Sequence, residues 1–502
     1  MSKKTIVISL ALIVIIAAFF RLYNITQTPP GLYPDEAMDG TNAQEALATH
    51  NFKVFYPENN GREGLFMDIQ ALSITAFGNE PWALRIVSSI FGILTVLGLY
   101  FLAKILFKSK KEYAVKIALL SAFLMATNFW HINFSRISFR AIMAPFFLVW
   151  AVYFILKSFD EEKYKSAIIA GIFYGLGFYS YIAFRATPLI IAVIFGYWLV
   201  KYPLSRKRLV KKFVVLFLVS LIVFAPLGYY FVKHPADFMG RTTQVSIFSS
   251  ASPLKSLADN TIKTLGMFNF AGDGNWRHNY SGAPELFFPV GIMFLIGIFF
   301  AIYCLIKNFK LPSTSHPEVF SEGSRLPFYI LLSWFITAML PVVISNEGIP
   351  HALRSILMIP PVIILAAFGG IITYEKLREI LKSKISKNIL LYALYFLLFT
   401  ILVSAYITYF IDWAKNPNTI ASFNQNYVDI GRQLNSLPQE LPKYVIVEAG
   451  GVDVRGIPMP AQTVMFITDT FTPDKQKAKN IFYVLPKDIS EIPSNAFTVE
   501  LK

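Results

Sequence analysis

The chain has 502 residues, of which 55% are hydrophobic, 16% aromatic and only 15% charged, with a net charge of +15. That balance excludes an ordinary soluble protein of this length and fits a chain dissolved in lipid; the basic residues fall in short clusters between apolar runs, as the positive-inside rule requires, which argues against nucleic-acid binding. The one cysteine, Cys304, lies in an apolar run, so an intramolecular disulfide and a thiolate metal cluster are excluded, and chemistry must come from carboxylates, imidazoles, guanidinium groups and hydroxyls.

Crossing a hydrocarbon core of about 30 Å takes roughly 20 mostly apolar residues. Eleven segments approach that length: 5–22, 82–107, 114–130, 141–157, 166–184, 186–202, 213–232, 285–306, 326–345, 355–373 and 389–411. The first follows Lys3 and Lys4 but runs into Phe19, Phe20 and Arg21 without a small-residue cleavage pattern, which favours an uncleaved anchor over a signal peptide.

Basic residues collect at Lys3 and Lys4, at Lys104, Lys108, Lys110 and Lys111, at Arg206, Lys207, Arg208, Lys211 and Lys212, and at Lys376, Arg378, Lys382, Lys384 and Lys387. These fall on one side, which is the cytoplasm by the positive-inside rule. Loops 23–81, 131–140, 233–284 and 346–354 then face outward, and an odd number of spans puts the C-terminus outside as well. From about residue 412 the composition turns soluble, with three strand-like runs at 444–448, 464–468 and 481–485. The expected fold is an all-α membrane domain over 1–411, with about 11 transmembrane helices and amphipathic helices in the first outer loop. A small extracytoplasmic α/β domain over 412–502 follows. The expected location is the plasma membrane, with the N-terminus cytoplasmic.

The first outer loop carries Pro34, Asp35, Glu36 and then Asp39, followed by a stretch of helical composition. Carboxylates in a first helical turn are stabilised by the helix dipole, and Asp35 and Asp39, four apart, share a face. Caps on a surface helix explain the same spacing. A second cluster runs from Tyr56 to Gly64 and includes Arg62 and Glu63, directly before an apolar stretch; a solvated interfacial loop is the bland alternative. The loop 233–284 contains Gly272, Asp273, Gly274, Asn275, Trp276, Arg277 and His278, and the loop 346–354 contains Glu347, His351 and Arg354. Guanidinium and imidazole groups at the mouths of spans either snorkel to lipid headgroups or grip a phosphate. Arg136, Arg140 and Arg185 are further outer-face cations, and His131 beside Trp130 reads as an interfacial residue.

Arg21-Leu-Tyr-Asn, the Pro29–Ala37 stretch Pro-Pro-Gly-Leu-Tyr-Pro-Asp-Glu-Ala, residues 57–65, Trp82-Ala-Leu-Arg and Trp130-His-Ile-Asn-Phe-Ser-Arg together resemble the membrane glycosyltransferases of family 39. That family belongs to the C-type glycosyltransferase superfamily, with protein O-mannosyltransferases and lipid A aminoarabinose transferases as relatives. The resemblance extends over the membrane region to about residue 411 and is strongest in the first 200 residues. It implies a polyprenyl- or dolichyl-phosphate-linked sugar donor, an unknown protein, lipid or glycan acceptor, and a catalytic acid at Asp35 with Glu36 beside it.

A sugar on a lipid phosphate already has a good leaving group, so one base that takes the acceptor's proton suffices, and a single displacement inverts the anomeric centre. Asp35 is the expected base and Glu36 its electrostatic or hydrogen-bonding neighbour. Arg62, His351, Arg354, Arg277 and His278 are expected at the donor phosphate, with Asp39 and Glu63 as additional acids. No metal site is assigned: a divalent ion is compatible with Asp35, Glu36, Asp39, Glu63 and the outer histidines, but no spacing demands one. The rival readings are a transporter or lipid flippase, an oligosaccharide ligase using a lipid-pyrophosphate donor, and a structural or receptor role centred on the tail.

Overall fold

An apolar run that enters lipid has to satisfy every backbone N–H and C=O within itself, which makes the helix its stable form. The computed structural model describes residues 1–109, 111–244, 247, 252–306 and 325–502, and the helix dominates it. In chain order, α1 (Lys3–Leu22) leads to α2 (Pro34–Thr49), a two-stranded ribbon of β1 (Phe55–Tyr56) and β2 (Arg62–Glu63), and α3 (Leu65–Phe77). There follow α4 (Pro81–Leu106), α5 (Lys111–Thr127), the short α6 (Phe129–Phe134), α7 (Met143–Asp160), α8 (Lys165–Gly177), α9 (Pro188–Lys201) and α10 (Arg206–Lys233). The helices α11 (Pro235–Gln244) and α12 (Pro253–Gly266) precede α13 (Phe288–Ile306), α14 (Leu326–Val343), α15 (Ile359–Ile380) and α16 (Lys384–Tyr406), the last prolonged by a π-helical turn over Ile407–Trp413.

Among the described residues, nine helical stretches are long and apolar enough to cross a bilayer, which makes this an integral, multi-pass membrane protein. They coincide with nine of the eleven expected segments. The other two, 114–130 and 166–184, overlap α5 and α8, which at 17 and 13 residues are shorter than those nine stretches. Both apolar segments outrun their helices because the chain turns inward before the segment ends. Asn128 caps α6 by accepting from the His131 N–H, and α8 gives way to a 3-10 turn at Ile182–Ala186. A similar turn at Arg140–Ile142 opens α7.

Helix α15 is buried along nearly its whole length, whereas most of the apolar surface of α16 is left uncovered by the rest of the protein. The α13–α15 contact is close enough to exclude a side chain: a Cβ at Gly297 would stand 1.9 Å from the Leu365 carbonyl oxygen, the small-residue approach expected between helices in lipid. Ion pairs Lys108–Asp160 and Lys116–Glu375 mark one end of the bundle. Of the basic cluster there, Lys110 lies outside the described residues. Helix α2 packs at the other end, beside the start of α4.

Beyond the bundle come α17 (Pro417–Ser422), α18 (Gln425–Ser436), β3 (Lys443–Val447), the ribbon β4 (Asp453–Val454) and β5 (Ile457–Pro458), α19 (Ala461–Thr468), α20 (Pro473–Lys479), β6 (Ile481–Val484) and β7 (Phe497–Leu501). Strands β6, β3 and β7 form a parallel sheet in that order. The run 464–468, expected as a strand, is instead the end of α19. Every residue of that helix is buried, the polar Gln462 and Thr463 included, so it has no exposed polar face and shows no one-sided period. Its two faces enter different cores: Phe466 and Ile467 join the membrane-domain core, while Ala461, Val464 and Met465 pack with Met38 of α2 under the sheet. The third strand is β7, whose alternation Phe-Thr-Val-Glu-Leu the sequence reading passed over.

Candidate active site

Two neighbouring carboxylates open α2, and the helix turns them to different surroundings. Glu36 is fully buried. Its Oε2 accepts from Arg85 Nε at 3.0 Å and from the Ser138 N–H at 2.7 Å; its Oε1 accepts from Arg85 Nη2 at 3.1 Å and from the Tyr33 N–H at 3.2 Å. Arg85 also donates to the carbonyls of Pro29 at 2.5 Å and Gly31 at 2.8 Å. Gly31 has φ +58° and a Cβ there would lie 2.3 Å from the Phe423 carbonyl oxygen, so only glycine fits.

Arg136 holds the same loop by donating to the carbonyls of Phe20, Tyr23 and Thr28 at 2.9, 2.8 and 2.6 Å. Arg21 donates to the carbonyls of Ala126 and Met125, and one of its Nη atoms lies 2.6 Å from His131 Nδ1. The arginines of the sequence motifs are therefore a buried frame for residues 23–33 and for the start of α2. Two expectations change. Glu36 answers a buried guanidinium and is not in the wall of the cavity described below, because a carboxylate this desolvated needs a cation and hydrogen bonds. His131 is fully buried against Arg21, not interfacial.

A cavity of about 280 Å³ opens on the other side of α2. Asp35 and Asp39 line it, together with Asn59, Arg62, Arg140, Arg277, His278 and His351. Asp35 is only partly buried, and its Oδ1 accepts from Asn59 Nδ2 at 2.6 Å. Among the described residues it has no ion-pair partner. Asp39 is buried; burial pushes its carboxyl up to about 6, with Arg62 and Arg140 pulling the other way. Arg62 Nη1 donates to Asp39 Oδ1 at 2.7 Å and Nη2 to Asn42 Oδ1 at 2.7 Å. Arg140 Nε donates to Glu63 Oε2 at 3.0 Å, and Arg185 approaches Glu63 at 3.7 Å. Arg277 differs from these cations: it lies 3.8 Å from the Tyr33 ring centroid, and no carboxylate among the described residues pairs with it. The Tyr33 hydroxyl is raised by burial and by Asp35, against Arg277.

The loop after α12 supplies another part of the wall. Asp273 Oδ1 accepts from the Asn275 N–H at 2.8 Å; Oδ2 accepts from the Ala352 N–H at 2.9 Å and stands 3.0 Å from His278 Nδ1 and 3.7 Å from His351 Nδ1. Burial raises the Asp273 carboxyl, but the His278 hydrogen bond and both imidazole charges outweigh it and lower the group. Ligand atoms of Asp273, His278 and His351 all lie within 4.8 Å of one another, an oxygen-and-imidazole set suited to a zinc-like ion. This differs from the acids expected to hold a divalent ion, since Glu36, Asp39 and Glu63 each answer an arginine.

Arg354 is outside the cavity wall: it donates to Glu347 Oε2 at 3.2 Å and to the Glu347 carbonyl at 3.1 Å. A cation at the mouth of a span is stable when so paired, and this one lies apart from the side chains that line the cavity. Glu63 stands behind the wall as the anchor of Arg140 and Arg185. Asn59 and Asp273 both fall in the candidate loops read from the sequence, but neither was assigned a role there: Asn59 is the partner of Asp35, and Asp273 holds the two histidines.

Residues 65–230 match the family model described as dolichyl-phosphate-mannose-protein mannosyltransferase. A search of the curated proteins gave no match. Among solved structures, the oligosaccharyltransferase of Archaeoglobus fulgidus in its apo form is 14% identical with a TM-score of 0.57, covering 98% of this chain and 66% of that one. This chain thus spans just under two thirds of the length of the archaeal enzyme. Apo ArnT from Cupriavidus metallidurans is 13% identical with a TM-score of 0.56, covering 99% of this chain and 90% of that one. The ArnT structure is also known with undecaprenyl phosphate, and the archaeal enzyme with an inhibitory peptide and dolichol-phosphate, and with zinc and sulfate. The chain has the C-type glycosyltransferase fold.

Proposed function

We propose that the protein is a membrane glycosyltransferase that moves a sugar from a polyprenyl- or dolichyl-phosphate donor to an acceptor hydroxyl on the outer face of the membrane, with inversion. One observation carries the reading: Asp35, a carboxylate with no counter-ion among the described residues, and Arg277, a guanidinium with no carboxylate among them, line the same cavity at one end of the bundle. The first suits a proton acceptor and the second a phosphate. That solved structures of the same fold hold undecaprenyl phosphate and dolichol-phosphate supports the donor class.

In this reading the acceptor hydroxyl loses its proton to Asp35 as its oxygen attacks the anomeric carbon, a contribution of roughly 10²- to 10⁴-fold. The bond to the lipid phosphate breaks, and the phosphate leaves with the electron pair. Arg277 offsets the charge developing there, with His278 and His351 beside it. Arg62 and Arg140, already answered by Asp39 and Glu63, contribute field more than a free hydrogen-bonding fork. Asp273, His278 and His351 fit a divalent ion by donor chemistry, and such an ion would add positive charge next to the departing phosphate.

The test is to give the purified protein a set of polyprenyl-phosphate pentoses and hexoses with hydroxyl-bearing peptides, lipids and glycosides, and to measure release of the polyprenyl phosphate. Release with at least one donor supports the reading. Transfer only from lipid-pyrophosphate glycans points to the ligase alternative, and passage of the intact donor across proteoliposomes without release points to a flippase.

A further inference from the structure

The C-terminal residues reach back to the turn that contacts Asp35. Arg455 has φ +56° between β4 and β5, donates to Glu45 Oε1 and Oε2 at 3.0 Å each, and donates to Glu58 Oε1 at 2.9 Å. Its guanidinium packs 4.5 Å from the Phe471 ring centroid, which fixes its direction. Glu58 directly precedes Asn59, whose amide meets Asp35 Oδ1 at 2.6 Å.

The turn between them is poorly held by its own backbone. Asn59, Asn60 and Gly61 have φ of +51°, +65° and +80°; inside the β1–β2 pairing the turn has one long backbone bond, Gly61 N–H to the Glu58 carbonyl at 3.3 Å, and the Gly61 carbonyl accepts from Arg140. Successive residues in the left-handed region persist when their surroundings hold them. Here Glu58 is tied to Arg455 and the next residue, Asn59, to Asp35. Helix α19 grips the back of α2 at the same time: Thr41 Oγ1 donates to Gln462 Oε1 at 3.0 Å, and Gln44 Nε2 to the Phe466 carbonyl at 2.9 Å.

We propose that Arg455 is a positioning residue: through Glu58 it sets the Asn59 amide on Asp35 Oδ1 and so orients the carboxylate that receives the acceptor's proton. The C-terminal unit is then a structural part of the reaction centre, clamping both the helix that carries Asp35 and the turn that orients it. The catalytic half of this inference rests on the function proposed above; the structural half does not.

Backbone hydrogen exchange in the intact protein separates the two. In Arg455→Ala and Glu58→Gln, amides of residues 55–64 exchange faster, roughly tenfold, while the control Arg432→Ala, which breaks the exposed Arg432–Glu80 pair, leaves them unchanged. Unchanged exchange in Arg455→Ala overturns the clamp. In the transfer assay Arg455→Ala lowers turnover by about tenfold without changing the donor's KM, and Arg455→Lys, which loses the planar fork, falls between. Asn59→Ala combined with Arg455→Ala costs no more than Asn59→Ala alone, because both act through one contact; additive losses, or unchanged turnover in Arg455→Ala, overturn the positioning role. Should the wild-type protein release no polyprenyl phosphate from any donor, the function reading falls while the exchange result still decides the clamp.

Discussion

Arg85 and Glu36 meet twice, Nε to Oε2 at 3.0 Å and Nη2 to Oε1 at 3.1 Å, with both side chains sealed from solvent. Neighbours on a helix point about 100° apart, so fixing Glu36 inward against α4 aims Asp35 into the cavity. Breaking a buried pair by removing one partner costs about 3–5 kcal/mol, because a desolvated charge is left behind. Arg85→Ala is expected to lower the thermal unfolding temperature in detergent and the yield of folded protein. Unfolding at the wild-type temperature would remove this pair from the frame of α2.

Asp35→Asn is expected to behave differently. The side chain is partly exposed and its hydrogen-bond partners, the Asn59 amide and the Tyr33 hydroxyl, are neutral, so the substitution leaves the fold and the unfolding temperature in place. Transfer should drop by roughly 10²- to 10⁴-fold, the contribution of a positioned base. Single-turnover release of polyprenyl phosphate measures it, and near-normal release by a folded Asp35→Asn protein ends the assignment of the base.

Much of this arrangement was legible in advance, and the reasons it was not complete are physical. Helical periodicity put Asp35 and Asp39 on one face, and lipid solvation fixed the helical class. The difference between Asp35 and Glu36 was hidden because their opposite roles depend on Arg85, some fifty residues away in the chain, a contact no local pattern announces. Arg354 had the same signature as Arg277, a cation near a span end, and only the tertiary placement of Glu347 separates them. Helix α19 read as a strand because total burial erases the period on which that distinction depends.

Arg277 should carry donor affinity. A hydrogen bond to a charged group is worth about 1.5–3 kcal/mol, so Arg277→Ala is expected to weaken binding of undecaprenyl phosphate by about tenfold or more, and Arg354→Ala to change it little, since Glu347 already answers that cation. Titration of the purified protein followed by tryptophan fluorescence measures both. Equal losses in the two variants would return Arg354 to the phosphate site.

The Asp273, His278 and His351 group makes a prediction that needs no enzyme assay. Zinc added to chelator-treated protein is expected to raise the unfolding temperature, since a ligand that binds the folded state alone stabilises it, and the rise should vanish in His278→Ala with His351→Ala. No zinc-dependent rise in the wild type would leave the three side chains as a hydrogen-bonded brace between the loops that follow α12 and α14.

The Asp39 carboxyl supplies the pH dependence. Burial, the largest influence, pushes it up to about 6, and Arg62 and Arg140 only partly offset this, whereas an unfolded aspartate titrates near 3.8. Between those values the folded chain holds a proton that the unfolded chain has released. By linkage, stability falls as pH rises through this window: the group's favourable contribution is fully present below about 4 and is lost once pH passes about 6. Asp39→Asn cannot titrate, so the difference in unfolding temperature between wild type and variant should change across pH 4 to 6 and level off above it, the wild type losing ground as pH increases. A difference that stays constant over that range, or that moves in the wild type's favour, would mean that Arg62 outweighs burial and keeps Asp39 ionised throughout.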